Sequence, residues 1–138
     1  MIITKETDYS LRILRELLDG KKHTIEEITD REMIPKSFAY QILRKLSKAG
    51  LIQALRGQGG GCVLSCQLAE VSLYDLMNAV NDKSAIASCT RESHICPWRL
   101  ENDGCQVHGQ LCQLQEKLDE ELRTINLQQL LTGEDAAS

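Results

Sequence analysis

The stretch TIEEITDREMIPKSFAYQILRKLSKAGLIQALRGQGGGCVLS (24–65) decides the fold. Thr24-Ile25-Glu26-Glu27 is a capping box, in which the Thr hydroxyl accepts the N–H at the third helical position and Glu27 reaches back to the cap. It predicts a short helix running to about Arg31. Pro35 stands where a second helix can begin, because its missing donor falls on an orphan position. Phe38, Ala39, Ile42, Leu43 and Leu46 then keep helical spacing until Gly50 supplies the stop. Beyond Gly50 the period changes from helix to strand. LIQAL (51–55) and CVLS (62–65) flank RGQGGG (56–61), and two short strands around four glycines read as a hairpin with a flexible tip. Short helix, turn, amphipathic helix and hairpin, in that order, make a winged helix-turn-helix.

Working outward, residues 4–19 place Leu11, Ile13, Leu14, Leu17 and Leu18 on one broad helical stripe that Gly20 ends. Downstream, Ser72-Leu73-Tyr74-Asp75 is a second capping sequence and starts a helix to about Asn81. Residues 82–104 lack periodicity and hold Gly, Asn, Asp, Ser and Pro97, so a long functional or disordered loop is expected. Val107, Leu111, Leu114, Leu118, Leu122 and Ile125 recur at intervals of 4, 3, 4, 4 and 3. So narrow a seam suits pairing with another helix, and a homodimer is the natural partner. Docking onto the chain's own winged head is the alternative. The expected class is mainly α with a small β-hairpin wing, a winged helix-turn-helix head plus a long C-terminal dimerisation helix. Its expected divisions are the head at 1–66, a connecting helix and ligand loop at 67–106, the dimerisation helix and C-terminal segment at 107–133, and a frayed tail at 134–138.

Composition narrows the function. At 138 residues there is room for one compact domain plus an appendage. No apolar run is long enough for a membrane span, and the start MIITKETDYS has no apolar core of a signal peptide. The expected compartment is therefore the cytoplasm, where thiols stay reduced. Six cysteines there point to ligands, redox sensors or buried thiols rather than to disulfides. Nothing resembles a catalytic triad or a small-molecule substrate pocket, so no enzyme is expected. The net charge of −4 is unevenly spread. Residues 1–30 sum to −2 and residues 59–138 to −7, while residues 31–58 carry Arg31, Lys36, Arg44, Lys45, Lys48 and Arg56 against Glu32 alone, for +5. A basic element on an acidic body is the footprint of a DNA-facing surface.

In this architecture the second helix of the turn lies in the major groove. Its first turns expose Lys36, Ser37, Tyr40 and Gln41, and Gln41 can pair bidentately with adenine. Lys45 and Lys48 lie further along and suit phosphate. Arg56 at the hairpin tip, with Gln58 and Gly59 beside it, can enter a minor groove or grip phosphate. Double-stranded operator DNA is the expected partner.

A second chemistry follows. Cys89, Cys96, Cys105, His108 and Cys112 lie within 24 residues, spaced x6, x8, x2 and x3. Structural zinc normally uses compact Cys-x2–4-Cys knuckles. Looser spacing across a Gly-containing loop suits a polynuclear iron–sulfur cluster. Cys105, His108 and Cys112, at i, i+3 and i+7, can share one helical face. Cys62 and Cys66 read as buried small hydrophobes, a peroxide-sensing thiol pair being the alternative.

At this point the chain resembles a known family. TDYSLRIL (7–14), ILRKLSKAGLI (42–52), RGQGGGCVLS (56–65), LYDLMNAV (73–80) and INLQQLL (125–131) are similar to the IscR-type regulators, which include the nitric-oxide-sensing NsrR proteins and iron-responsive relatives. The resemblance spans nearly the whole chain. It implies a homodimeric winged-helix regulator, as a repressor, whose iron–sulfur cluster tunes operator binding, with three cysteine ligands mapping onto Cys89, Cys96 and Cys105. In one branch a His separated from the third Cys by two residues completes a [2Fe–2S] site, and His108 matches it. In the other an Asp near the N-terminus, donated by the other subunit, completes a [4Fe–4S] site, and Asp8 matches that. The His108 reading is preferred because it is local. Cys112 departs from the family pattern, as does Cys62, where the family usually carries an aromatic residue. Zinc-stabilised and thiol-redox repressors without a cluster are the alternatives.

Overall fold

The computed structural model describes residues 3–57, 60–81 and 85–133. Helix α1 (Lys5–Glu16) starts on Thr4, whose hydroxyl accepts the Thr7 N–H at 3.4 Å. Helix α2 (Ile25–Glu32) starts on Thr24, which accepts the Glu27 N–H at 3.2 Å. The return arm expected of that box is used elsewhere: the Glu27 carboxylate binds His23 Nδ1 at 3.0 Å. Met33, in the left-handed region at φ 56°, ends α2 and makes the sharp turn into α3 (Lys36–Lys48). Pro35 is the cap of α3 rather than its first helical residue, and Gly50 closes it at φ +80°. Strands β1 (Ile52–Leu55) and β2 (Gly61–Leu64) pair antiparallel, with Ile52 opposite Leu64 and Leu55 opposite Gly61.

Two strands alone are marginal in water, and this hairpin is held by a third piece of backbone. The His23 N–H donates to the Cys62 carbonyl at 3.0 Å, and the Cys62 N–H to the His23 carbonyl at 2.9 Å. Gly61 permits the approach, since a Cβ there would stand 2.2 Å from the His23 carbonyl oxygen. Ile52 and Cys62 are buried beneath.

Helix α4 (Leu73–Asn81) carries a complete reciprocal box: Ser72 Oγ accepts the Asp75 N–H at 3.0 Å and Asp75 the Ser72 N–H at 3.1 Å. The expected long loop is not structureless. Its described part contains a 3-10 turn, Ser88–Thr90, and a short helix α5 (Pro97–Glu101), with Pro97 at the first position that favours it. Helix α6 (Gln106–Thr124) and a further short helix α7 (Leu127–Thr132) follow.

One core joins Ile13, Leu14 and Leu17 of the first helical stretch, Ile42 and Leu46 of α3, and Leu76, Met77 and Val80 of α4 to Leu122 and Leu127. The head therefore draws on residues well beyond 66. The predicted apolar seam is divided along α6. Leu118 and Ile125 pack against the core and Leu122 is buried, whereas Val107 is 65% and Leu114 52% exposed. The C-terminal half docks on its own head, as the alternative reading had it, and the N-terminal half keeps an open apolar edge. Backbone bonds fix the far end of α6: Leu73 N–H to the Ile125 carbonyl at 2.8 Å and Leu127 N–H to the Val71 carbonyl at 2.9 Å. The Arg123 guanidinium stacks 4.1 Å from the Tyr74 ring centroid, a cation–π contact between α6 and α4.

Candidate nucleic-acid interface and ligand segment

Helix α3 is amphipathic in the sense a reading helix needs. Ala39, Ile42, Leu43 and Leu46 are buried, while Lys36, Ser37, Tyr40, Gln41, Arg44, Lys45 and Lys48 are exposed. A groove of about 700 Å³ lies between α3 and the hairpin, with Tyr40, Arg44, Lys48 and Arg56 around a floor that includes Ile52 and Cys62. Three cations around an apolar cleft suit a phosphate-flanked groove edge. Arg44 was not singled out from sequence; its place four residues after Tyr40 and three after Gln41 puts it on the same helical face. Lys36 Nζ lies 3.6 Å from Glu26, an exposed ion pair that a phosphate can displace. The Lys45 ammonium, for which a phosphate contact is expected, donates to the Val80 carbonyl at 2.9 Å and ties α3 to α4. Gln58 and Gly59 lie outside the described residues, as do 134–138.

Charged groups set the angle between the first two helices. Buried Glu32 is bonded by Arg15 through two contacts, one from Nε at 3.3 Å and one from Nη2, and Arg12 donates to the Glu32 carbonyl at 3.0 Å. Burial pushes the Glu32 carboxyl up, but the bonds from Arg15 and Glu16 outweigh it and hold the group below its usual range. His23, also buried, is held between two carboxylates, with Nε2 2.8 Å from Asp19 and Nδ1 3.0 Å from Glu27. Both bonds can be donated at once only when each ring nitrogen carries a proton, that is, by the imidazolium. The bonds to Asp19 and then Glu27 raise its pKa. The hairpin is thus tied by backbone to the histidine clamp.

All six cysteines are free thiols. Burial alone pushes Cys62 up to about 11 and raises Cys66. Protonated thiols are poor nucleophiles, which weighs against a sensing pair and fits small buried hydrophobes. The other four are half-buried and lie in the ligand segment. Cys89 sits in the 3-10 turn, which is strapped to α6 through Gln115: its side-chain oxygen accepts the Ile86 N–H at 2.8 Å and the Thr90 hydroxyl at 3.1 Å. Gln115 carried no sequence signal, because an isolated Gln on a helix has none. Cys96 caps α5. Cys105 caps α6, its sulfur accepting the His108 N–H at 3.4 Å. Cys112 Sγ lies 3.4 Å from His108 Nε2 and 3.8 Å from Nδ1. Asp8, on α1, pairs with Arg12 at 3.2 Å.

The sequence-predicted donors are therefore only partly brought together. Among the described residues no three His, Cys, Asp or Glu side chains gather as a metal site. Their chemistry nevertheless fits an iron–sulfur centre. The donors are soft and free, carried on short elements that flank one long helix, and the positive N-terminal end of α6 suits an anionic ligand at Cys105. No helix of the described residues is long and apolar enough to cross a membrane.

Comparison with known proteins completes the description. The chain is 34% identical over 100 residues to protein aau3 of Rhizobium meliloti, a match covering 70% of this chain and 65%, less than two thirds, of that protein. It is 27% identical over 139 residues to the HTH-type transcriptional regulator NsrR of Shouchella clausii, covering 98% of this chain and 91% of the relative. Among solved structures it is similar to the oxidised form of Staphylococcus aureus CymR (TM-score 0.71, 19% identity, 96% and 97% of the two chains). It is also similar to T. potens IscR (TM-score 0.66, 17% identity, 98% and 90%). The family model Rrf2, described as an iron-dependent transcriptional regulator, matches residues 3–133. With that match across winged head, hairpin and long helix alike, the chain belongs to the Rrf2 family of DNA-binding transcriptional regulators and is not an enzyme.

Proposed function

We propose that this chain is an iron–sulfur-cluster-dependent repressor, cytoplasmic and homodimeric, whose grip on operator DNA is set by a centre in residues 85–112. One observation carries the reading: the donor-bearing segment is strapped by Gln115 to α6, and the far half of α6 is embedded in the core of the DNA-binding head. Cys89, Cys96 and Cys105, with His108, would hold a [2Fe–2S] cluster. Asp8 from the other subunit is the competing fourth ligand and goes with [4Fe–4S]. When bound, the cluster supplies sensitivity to iron supply, oxygen or nitric oxide.

Lys36, Ser37, Tyr40 and Gln41 face base edges, with Gln41 the candidate reader of adenine. Arg44, Lys48 and Arg56, with Gln58 and Gly59 of the hairpin tip, face the backbone. Lys45 reaches phosphate only by leaving Val80. Paired heads meet successive major grooves about 34 Å apart, so a change in how α6 sits on the head changes affinity, provided the two states differ in it.

The family's fold neighbours include CymR, and a zinc-bound or thiol-redox repressor would keep this same head. Anaerobic purification separates the readings. Iron and acid-labile sulfide in a brown protein are expected, and Cys96→Ala should abolish the cluster-dependent change in operator affinity while the apo-protein melts as before. Colourless protein with one zinc per chain, responding normally at its operator, would sink the proposal.

A further inference from the structure

We propose that His23 is a positioning residue for DNA binding: gripped at both ring nitrogens by Asp19 and Glu27, it fixes the hairpin so that Arg56 meets the phosphate backbone. The role rests on the Arg56 contact put forward above and adds a buried residue to it. Bonds converge on His23 from two sides. Its ring nitrogens lie 2.8 Å from Asp19, which follows α1, and 3.0 Å from Glu27, in the first turn of α2. Its backbone N–H donates to the Cys62 carbonyl at 3.0 Å, and its carbonyl accepts the Cys62 N–H at 2.9 Å. The side-chain bonds hold the residue on the side of the first two helices, and the backbone bonds pass that position on to β2.

The hairpin register carries the position outward. Cys62 stands opposite Ala54 and Gly61 opposite Leu55, and Arg56 is the next residue. A Cβ on Gly61 would stand 2.2 Å from the His23 carbonyl oxygen and 3.1 Å from the Thr24 Cα. With the backbones so close, a shift of residue 23 moves the hairpin with it. Stability alone does not ask for a charged clamp here. His23 is 8% exposed, and a well-packed apolar side chain often serves a buried position as well as an ion pair does, or better. Two charge-assisted bonds at different corners of one planar ring add orientation. The Asp19 carboxylate is itself steadied, accepting the Lys21 N–H at 2.9 Å.

The test is the salt dependence of DNA binding, because a lost phosphate contact makes log affinity less steep against log salt by about 0.9. Anaerobically purified full-length protein is titrated, across a salt series, onto a labelled duplex that it has itself selected from a random-sequence pool. Arg56→Ala, His23→Leu and the pair Asp19→Ser with Glu27→Ala are each expected to lose about 0.9 of slope per head. His23→Leu combined with Arg56→Ala should lose no more than Arg56→Ala alone, the non-additivity of groups that act as one. A residue that merely stabilises the fold would shift the melting curve and leave the slope untouched. The wild-type slope in either His23→Leu or the carboxylate pair, beside an Arg56→Ala that loses its contact, overturns the role of His23 and leaves the Arg56 contact standing. Losses that add in the combined variant overturn it too, because His23 then acts on other contacts. A wild-type slope in Arg56→Ala overturns both. Melting curves check folding. Should His23→Leu unfold, the carboxylate pair carries the same readouts, since those side chains are 44% and 46% exposed and Ser at 19 can still accept the turn N–H.

Discussion

In the head, Ala39, Ile42, Leu43 and Leu46 of α3 are buried, and the starts of α1, α2 and α4 each carry a side-chain cap. In the candidate ligand segment, Ile95, Trp98, Leu100 and Val107 stand 73%, 59%, 72% and 65% exposed, and among the described residues no three candidate donors gather, His108 and Cys112 being in contact. Both regions lie on one chain and share α6. The head packs most of its large apolar side chains into one core, although Met33 is 81% exposed and the buried Thr7 hydroxyl has no hydrogen-bond partner among the described residues, so it is the more closed of the two regions. The segment leaves apolar surface and soft donors unspent, and such surface marks a place where something else binds. A segment left open beside a packed head can be altered by a ligand without rebuilding that core.

The sharpest way to break the comparison is on the closed side. Gly61→Ala forces a Cβ against the His23 carbonyl, and overpacking against backbone should cost about 1–3 kcal/mol, read as a lower denaturation midpoint. An unchanged midpoint would mean that the hairpin is not part of the closed unit.

On the open side, Leu114→Glu should leave the melting of the monomer within about 0.5 kcal/mol, as an exposed position does. It should weaken self-association by about tenfold, roughly 1.4 kcal/mol. Sedimentation velocity across a concentration series measures this, and wild-type association would show that the exposed seam is not the interface.

The smallest effect is a drift with pH. Bonds to Asp19 and Glu27 raise the pKa of His23, so its contribution is complete below about 6.5, the unfolded value, and is lost as pH rises through the raised folded value. The Lys21 N–H and His23 lower the pKa of Asp19, so its contribution persists above the unfolded value and is lost as pH falls through the depressed one. Between the two, neither His23 nor Asp19 contributes a slope. Melting temperature should decline on the alkaline side in the wild type but not in His23→Gln, and parallel curves would remove the clamp from the account.

The same contrast governs what could be read in the sequence. Head elements were legible because each rests on a local rule: Thr24 and Ser72 as caps, Gly50 as a stop, a glycine-rich tip between two short apolar runs. What escaped depended on contacts far apart in the chain. Glu27 abandons its capping arm for His23, and the Lys45 ammonium is bonded to the Val80 carbonyl. Helix α5 is five residues long, too short for periodicity to register, although Pro97 was a start signal. The division of the α6 seam follows from where α4 and α7 lie, which its spacing does not encode. For the candidate site, the donor residues were visible as a cluster of types, while the pairing of His108 with Cys112 needed the helix to be placed.

The backbone pins at Val71, Leu73, Ile125 and Leu127 hold the C-terminal end of α6, and the helix is 19 residues long, about 28 Å. A stiff rod held at that end has the geometry of a lever with its fulcrum in the head. A tilt of about 5° at the fulcrum sweeps the Cys105 end by ~2.4 Å on that length. Read the other way, the proposed centre, by gathering the scattered thiols at the tip, would exert leverage on the head through a single stiff rod.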